Sequence, residues 1–172
     1  MRKIGIIAVL ALLVTALAAV PALALTDFSN APTGAHYRQG FGEPICTLNT
    51  ATDTVTCTGT QIAGVGNTNA TASLSLDIQA DVVCRNPGNR NIVEPHSYTD
   101  TVTVSTGRLA PRNGTLVVPT LSASAPSPEQ IDAAFQCPNP NWLDQVTAVN
   151  VTGFTYTLTF VGFTEPAITI RG

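Results

Sequence analysis

The chemistry open to this chain rests on four cysteines, two histidines and a thin set of carboxylates within 172 residues. Glu94 and His96 stand two apart in "VEPHSYTD", with Asp100 close behind, and that trio could begin a metal site or an acid–base cluster. A two-residue spacing through Pro95 fixes no ligand geometry, so a solvated polar loop is the plainer reading. The other histidine, His36, lies in "GAHYRQGFGEP", and neither histidine stands at ligand spacing beside a cysteine. Asp77 and Asp81 are four apart on one strand face, too distant to act as a carboxylate dyad. No Gly-x-Ser-x-Gly elbow occurs, and Gly64-x-Gly66 precedes a polar strand instead of the helix that a phosphate cradle requires. These residues predict no catalysis, no metal and no cofactor.

The cysteines have a simpler explanation in export. Arg2 and Lys3 form a short basic region, Ile4 to Val20 is apolar but for one threonine, and Pro21-Ala22-Leu23-Ala24 supplies an A-x-A cleavage site. The run approaches the roughly 20 residues that span a bilayer, but Pro21 followed by small residues favours cleavage over retention as an anchor. Residues 1–24 are then a signal peptide, and the mature chain, from Leu25, is secreted without stable membrane insertion. In an oxidising compartment four cysteines imply two disulfides, with three possible connectivities. No Cys-x-x-Cys occurs, which argues against a redox or metal-thiolate role.

Strand geometry chooses among the connectivities. Cys46 and Cys57 flank the turn Asn49–Asp53, and a hairpin centred there sets Leu48 opposite Val55 and Cys46 opposite Cys57 on one face. Cys84 and Cys137 are left to pair. They open the related stretches "CRNP" and "CPNP", and Cys84 ends a long strand in phase with its apolar face. Asn-Pro after each cysteine stops the ladder, because proline has no N–H to donate. Two loops tied together at one end of the domain follow, with Trp142 packed over the bridge.

The elements that must position these residues are strands. Threonine alternates with apolar residues in "TDTVTCTGT", "TVTVS" and "FTYTLTF", the pattern of strands with one face in the core and one in water. Its β-branched carbon suits the pleat while its hydroxyl stays wet. Strands are expected over 44–48, 53–60, 70–85, 98–106, 114–121, 145–152 and 154–163, with an edge strand near 167–171. Ser127 as N-cap, Pro128 at the first position and the stripe Ile131, Ala134, Phe135 predict one short helix. The expected fold is all-β: an antiparallel sandwich of immunoglobulin-like architecture with two disulfides. Residues 25–43 read as an extended N-terminal segment and 44–172 as a single domain.

"ADVVCRNPGN", "NGTLVV" and "CPNPNWLDQVTAVNVTGFTYTLT" together resemble a family of small secreted bacterial proteins of unknown function. These carry a long strand ending in Cys-x-Asn-Pro-Gly-Gly and a later Cys-Pro-Asn-x-Asn-Trp. The likeness spans roughly Ile62 to Val161. It supports the fold and the Cys84–Cys137 bridge, and it carries over no catalytic or binding residue. Asn89 stands where the family's second glycine is expected, and "NIVEPHSYTD" departs from its glutamine-rich continuation.

Charge narrows the partners. Without Arg2 and Lys3, six arginines face eleven acidic residues, which lacks the basic footprint of nucleic-acid binding. The stretch "RNPGNRNIVEPHSY" reads as a loop of about 14 residues between strands, longer than a hairpin needs, and such loops often carry function. Arg85, Arg90, Glu94, His96 and Tyr98 are its candidate binding residues. The expected role is a non-catalytic extracellular module, structural or interactive, at the cell surface or in the matrix. The alternative is a ligand-binding protein, for carbohydrate or as a protease inhibitor, acting through that loop. An extracellular protein or a polysaccharide is the partner class either reading implies.

Overall fold

The computed structural model describes residues 23–88 and 91–172. Among the described residues the fold is predominantly antiparallel β, with eleven strands, a 3-10 turn at Phe28–Asn30 and one α-helix. Five strands form the larger sheet: β1 (Leu23–Thr26), β6 (Ala70–Arg85), β7 (Ile92–Ser105), β10 (Leu143–Phe160) and β11 (Ile168–Arg171). Their order is β1-β11-β10-β6-β7, so β7 is an edge strand. The strict alternation of β6 explains its 16-residue length: every residue from Ala70 to Cys84 in that phase is buried.

Two three-stranded sheets make up the rest. One is β2 (His36–Tyr37), β5 (Thr60–Ala63) and β8 (Thr115–Val118); the other is β3 (Cys46–Asn49), β4 (Thr54–Cys57) and β9 (Leu121–Ser124). The β4–β9 and β5–β8 ladders share one register, since the numbers of facing residues add to the same value for Thr54 with Ser124 as for Thr60 with Val118. The sequence predicts single strands over 53–60 and 114–121; each is instead broken once, at Thr58-Gly59 and at Pro119-Thr120. The breaks face each other. A Cβ on Gly59 would lie 2.7 Å from the Val118 carbonyl oxygen, so the kink needs glycine.

The main core is shared by all three sheets. Leu74, Leu76 and Ile78 of β6 and Tyr156, Leu158 and Phe160 of β10 belong to one buried cluster with Val55, Ile62, Leu116 and Leu121. Each fully buried aliphatic or aromatic side chain of this kind contributes about 1.5–3 kcal/mol. A second, smaller cluster lies at the far end of the large sheet, where Ala80 and Val82 meet Ile131 of α1 (Pro128–Ala134).

Both disulfides pair as expected. Cys46 faces Cys57 and Leu48 faces Val55 in the β3–β4 ladder, and the second bridge joins Cys84 to Cys137. The two strands expected over 145–152 and 154–163 are one, β10, which passes Gly153 with register shifts at Val146/Ala148 and Val151/Gly153. Among the described residues no helix is long and apolar enough to cross a membrane. The cut expected after Ala24 would fall within β1, where Leu23 faces Arg171 and Ala24 faces Ile170. The rest of the expected leader lies outside the described residues.

Candidate interaction site

The segment Arg85–Tyr98 is not one long loop. Strand β7 begins at Ile92, and Glu94, His96 and Tyr98 face Cys84, Val82 and Ala80 of β6. Only residues 86–91 connect the strands, and Arg90 lies outside the described residues. Two local features disguise the strand in the sequence. Pro95 interrupts it, which an edge strand tolerates when the missing donor points away from its neighbour. Its inward-facing residues are also polar, because they face a helix and solvent at the sheet's end and not the main core.

Alternation therefore separates the four described candidates. Glu94, His96 and Tyr98 share one face of β7. Arg85 sits on the opposite face of the sheet, where its Nε donates to Gln145 Oε1 at 2.7 Å. It stands between Leu143 of β10 and Ile92 of β7. Both are more than half exposed (58% and 53%), so two exposed apolar side chains flank Arg85 at the sheet's end.

The helix ends beside His96 and Tyr98. Its start is fixed by a capping box, with Ser127 Oγ accepting from the Gln130 N–H and Gln130 Oε1 accepting from the Ser127 N–H. Ile131 is buried between helix and sheet, and one turn later Phe135 closes the helix. The Phe135 ring centre lies 5.6 Å from that of His96 and 6.4 Å from that of Tyr98, the latter edge-on. Two residues further on, Cys137 is bonded to Cys84, so the bridge anchors the chain carrying Phe135 to the strand beneath it.

Electrostatics along β7 are mild. His96 Nε2 is buried without a hydrogen-bond partner among the described residues, and the Glu94 Oε2 carboxylate oxygen is 3.6 Å away, too far for a hydrogen bond. Tyr98 donates to Asp100 Oδ2 at 3.3 Å. Desolvation and the neighbouring Asp100 carboxylate hold the Tyr98 phenol above its ordinary pKa. Among the described residues no group of three or more His, Cys, Asp or Glu side chains could hold a metal. His36, far along the chain on β2, bonds through Nδ1 to the Gly34 carbonyl. Asp77 accepts from Thr101 Oγ1 on the sheet's outer face. Trp142 is partly buried in the turn closed by its N–H to Asn139 O.

The arrangement can make contacts: an aromatic ring, an imidazole, a phenol and two carboxylates in a row along a sheet edge. Sequence reasoning had set Asp100 beside Glu94 and His96 but missed Phe135 as a member. Phe135 was visible only as part of an apolar helix stripe, and its neighbours on β7 could be found only once that stretch was recognised as a strand. No family model, curated protein or solved structure matches the chain.

Proposed function

We propose that the protein is a secreted, non-catalytic module that acts by contact, through the end of the large sheet where Glu94, His96, Tyr98 and Phe135 meet. The observation that carries the reading is the fixing of Phe135 beside an edge strand by both a packed helix turn and the Cys84–Cys137 bridge. A contact surface held by rigid elements loses little conformational entropy on binding. The partner class is an extracellular protein or a polysaccharide, not nucleic acid. A five-stranded sheet sharing its core with two three-stranded sheets suits an immunoglobulin-like sandwich, and the cysteine pattern suits the small secreted bacterial proteins that the sequence resembles. The apolar leader suits export with cleavage after Ala24.

A carbohydrate ligand is a second reading, favoured by the Phe135 and Tyr98 rings at the same edge, since sugars stack on aromatic faces. The test is adsorption of the purified mature protein to the producing organism's own envelope, and to its isolated polysaccharide. The double variant H96A/F135A should lose most of the adsorption while keeping its circular dichroism spectrum. A control at Thr157, on the opposite face, should adsorb normally. Undiminished adsorption by H96A/F135A removes the site; loss only on polysaccharide selects the second reading.

A further inference from the structure

Among the described residues the 14-residue strand β7 is paired on one side only, and its other side is a template for another strand. The phase of its backbone can be read directly. The Thr106 N–H donates to the Ala72 carbonyl, so the even-numbered residues of β7 turn their N–H and C=O groups toward β6. The odd-numbered residues, from Pro95 to Ser105, turn theirs outward. Pro95 has no N–H to offer there. In the middle of the row the outward Thr101 N–H is occupied: it donates to Asp100 Oδ1 at 2.8 Å. The other oxygen of that carboxylate receives the Tyr98 hydroxyl, which steadies it against the edge.

We propose that Asp100 is an edge guard, whose carboxylate caps the central free amide of β7 and prevents the strand from pairing with a second copy of this chain. Without the cap, two β7 strands can meet antiparallel about a two-fold axis with Thr101 facing Thr101, joined by the outward groups of residues 97–105. That register sets Thr99 against Thr103, two β-formers suited to the pleat. It also places Val102 opposite residue 100, so an aspartate there brings a charge against an aliphatic neighbour. The cap and the charge both oppose pairing, and Pro95 ends the template on its other side. The guard shares Tyr98 and Asp100 with the contact row described above, but it is argued from the outward backbone groups of β7 and not from binding at that row.

The test is sedimentation equilibrium of the mature protein across a wide concentration range. Wild type is expected to be a monomer, and D100T to double its mass with rising concentration. D100N, which keeps a carbonyl oxygen for the Thr101 amide, should remain monomeric, and D100T/T103P, which removes a neighbouring outward donor, should revert to monomer. A monomeric D100T overturns the proposal, as does a D100N that dimerises like D100T, or a D100T/T103P that dimerises undiminished. Amide hydrogen exchange on the wild type is a check that needs no variant. The Thr101 amide should exchange more slowly than those of Thr99 and Thr103; equal rates overturn the cap.

Discussion

At the scale of single residues, Tyr156 exposes a cost that the core carries. It is fully buried in β10, and its hydroxyl meets no hydrogen-bond partner among the described residues. A hydroxyl lost from water without compensation costs about 1–3 kcal/mol. Tyr156→Phe should therefore be neutral or stabilising by about 1 kcal/mol, read as an upward shift in the denaturation midpoint at neutral pH. A loss of more than about 1 kcal/mol would mean the hydroxyl is satisfied. Burial, with a smaller contribution from Tyr37, raises the Tyr156 pKa well above its ordinary value near 10. The native state then holds its proton where the unfolded chain has lost it, so this contribution is intact below about pH 10 and drains away above it. The phenylalanine variant should resist alkaline unfolding better than wild type. Residue types also show what the sequence could and could not tell. Cys46 and Cys57 were pairable because a hairpin's symmetry is written in its numbering. Glu94, His96 and Tyr98 were recognisable as unusual types, yet their shared face required knowing that they lie on a strand.

At the scale of elements, legibility followed what each face of a strand meets. The boundaries of β6 were readable because one face is core and the other water along its whole length. The first half of β7 was hidden, since its inner residues meet a helix and solvent. The start of α1 was legible in Ser127 as N-cap and Pro128 at the first position, because caps are local chemistry, although the Gln130 half of the capping box was not singled out. The kink that divides β4 from β5 and β8 from β9 was not, because it depends on two backbones that approach from distant parts of the chain. Gly59 is where that approach can be tested. A methyl group there would meet the backbone of Val118 to Thr120, with contacts of 2.7 Å and 3.1 Å to the first and last. Gly59→Ala should destabilise the protein by about 1–3 kcal/mol, the usual range for overpacking against atoms that cannot move aside. An unchanged melting temperature would show that the two ribbons can separate at the kink without cost.

At the scale of the whole molecule, the two disulfides serve different parts of the fold. Cys46–Cys57 staples a short hairpin whose residues already belong to the main core. Cys84–Cys137 closes a far longer stretch of chain and ties the segment after α1 to the end of β6, beside the small cluster of Ala80, Val82 and Ile131. Loop closure alone assigns about 3 kcal/mol to the first bridge and about 4 kcal/mol to the second. The difference in place matters more than the difference in size. Three fully buried side chains and one short helix form a thin core, and a seven-residue helix has little stability without tertiary contacts. Replacing Cys84 and Cys137 together with alanine should lower global stability by about 2–5 kcal/mol. It should also let α1 open locally, below the threshold for global unfolding. Hydrogen exchange provides the discriminating measurement: in the double variant the amides of Ile131 and Phe135 should lose protection far more than those of Leu74, Leu76 and Tyr156. Fluorescence of Trp142, the only tryptophan, should shift to the red as the segment after the bridge loosens. Uniform loss of protection across both clusters would mean that the small core is one cooperative unit with the large one, and that the bridge acts on the whole fold.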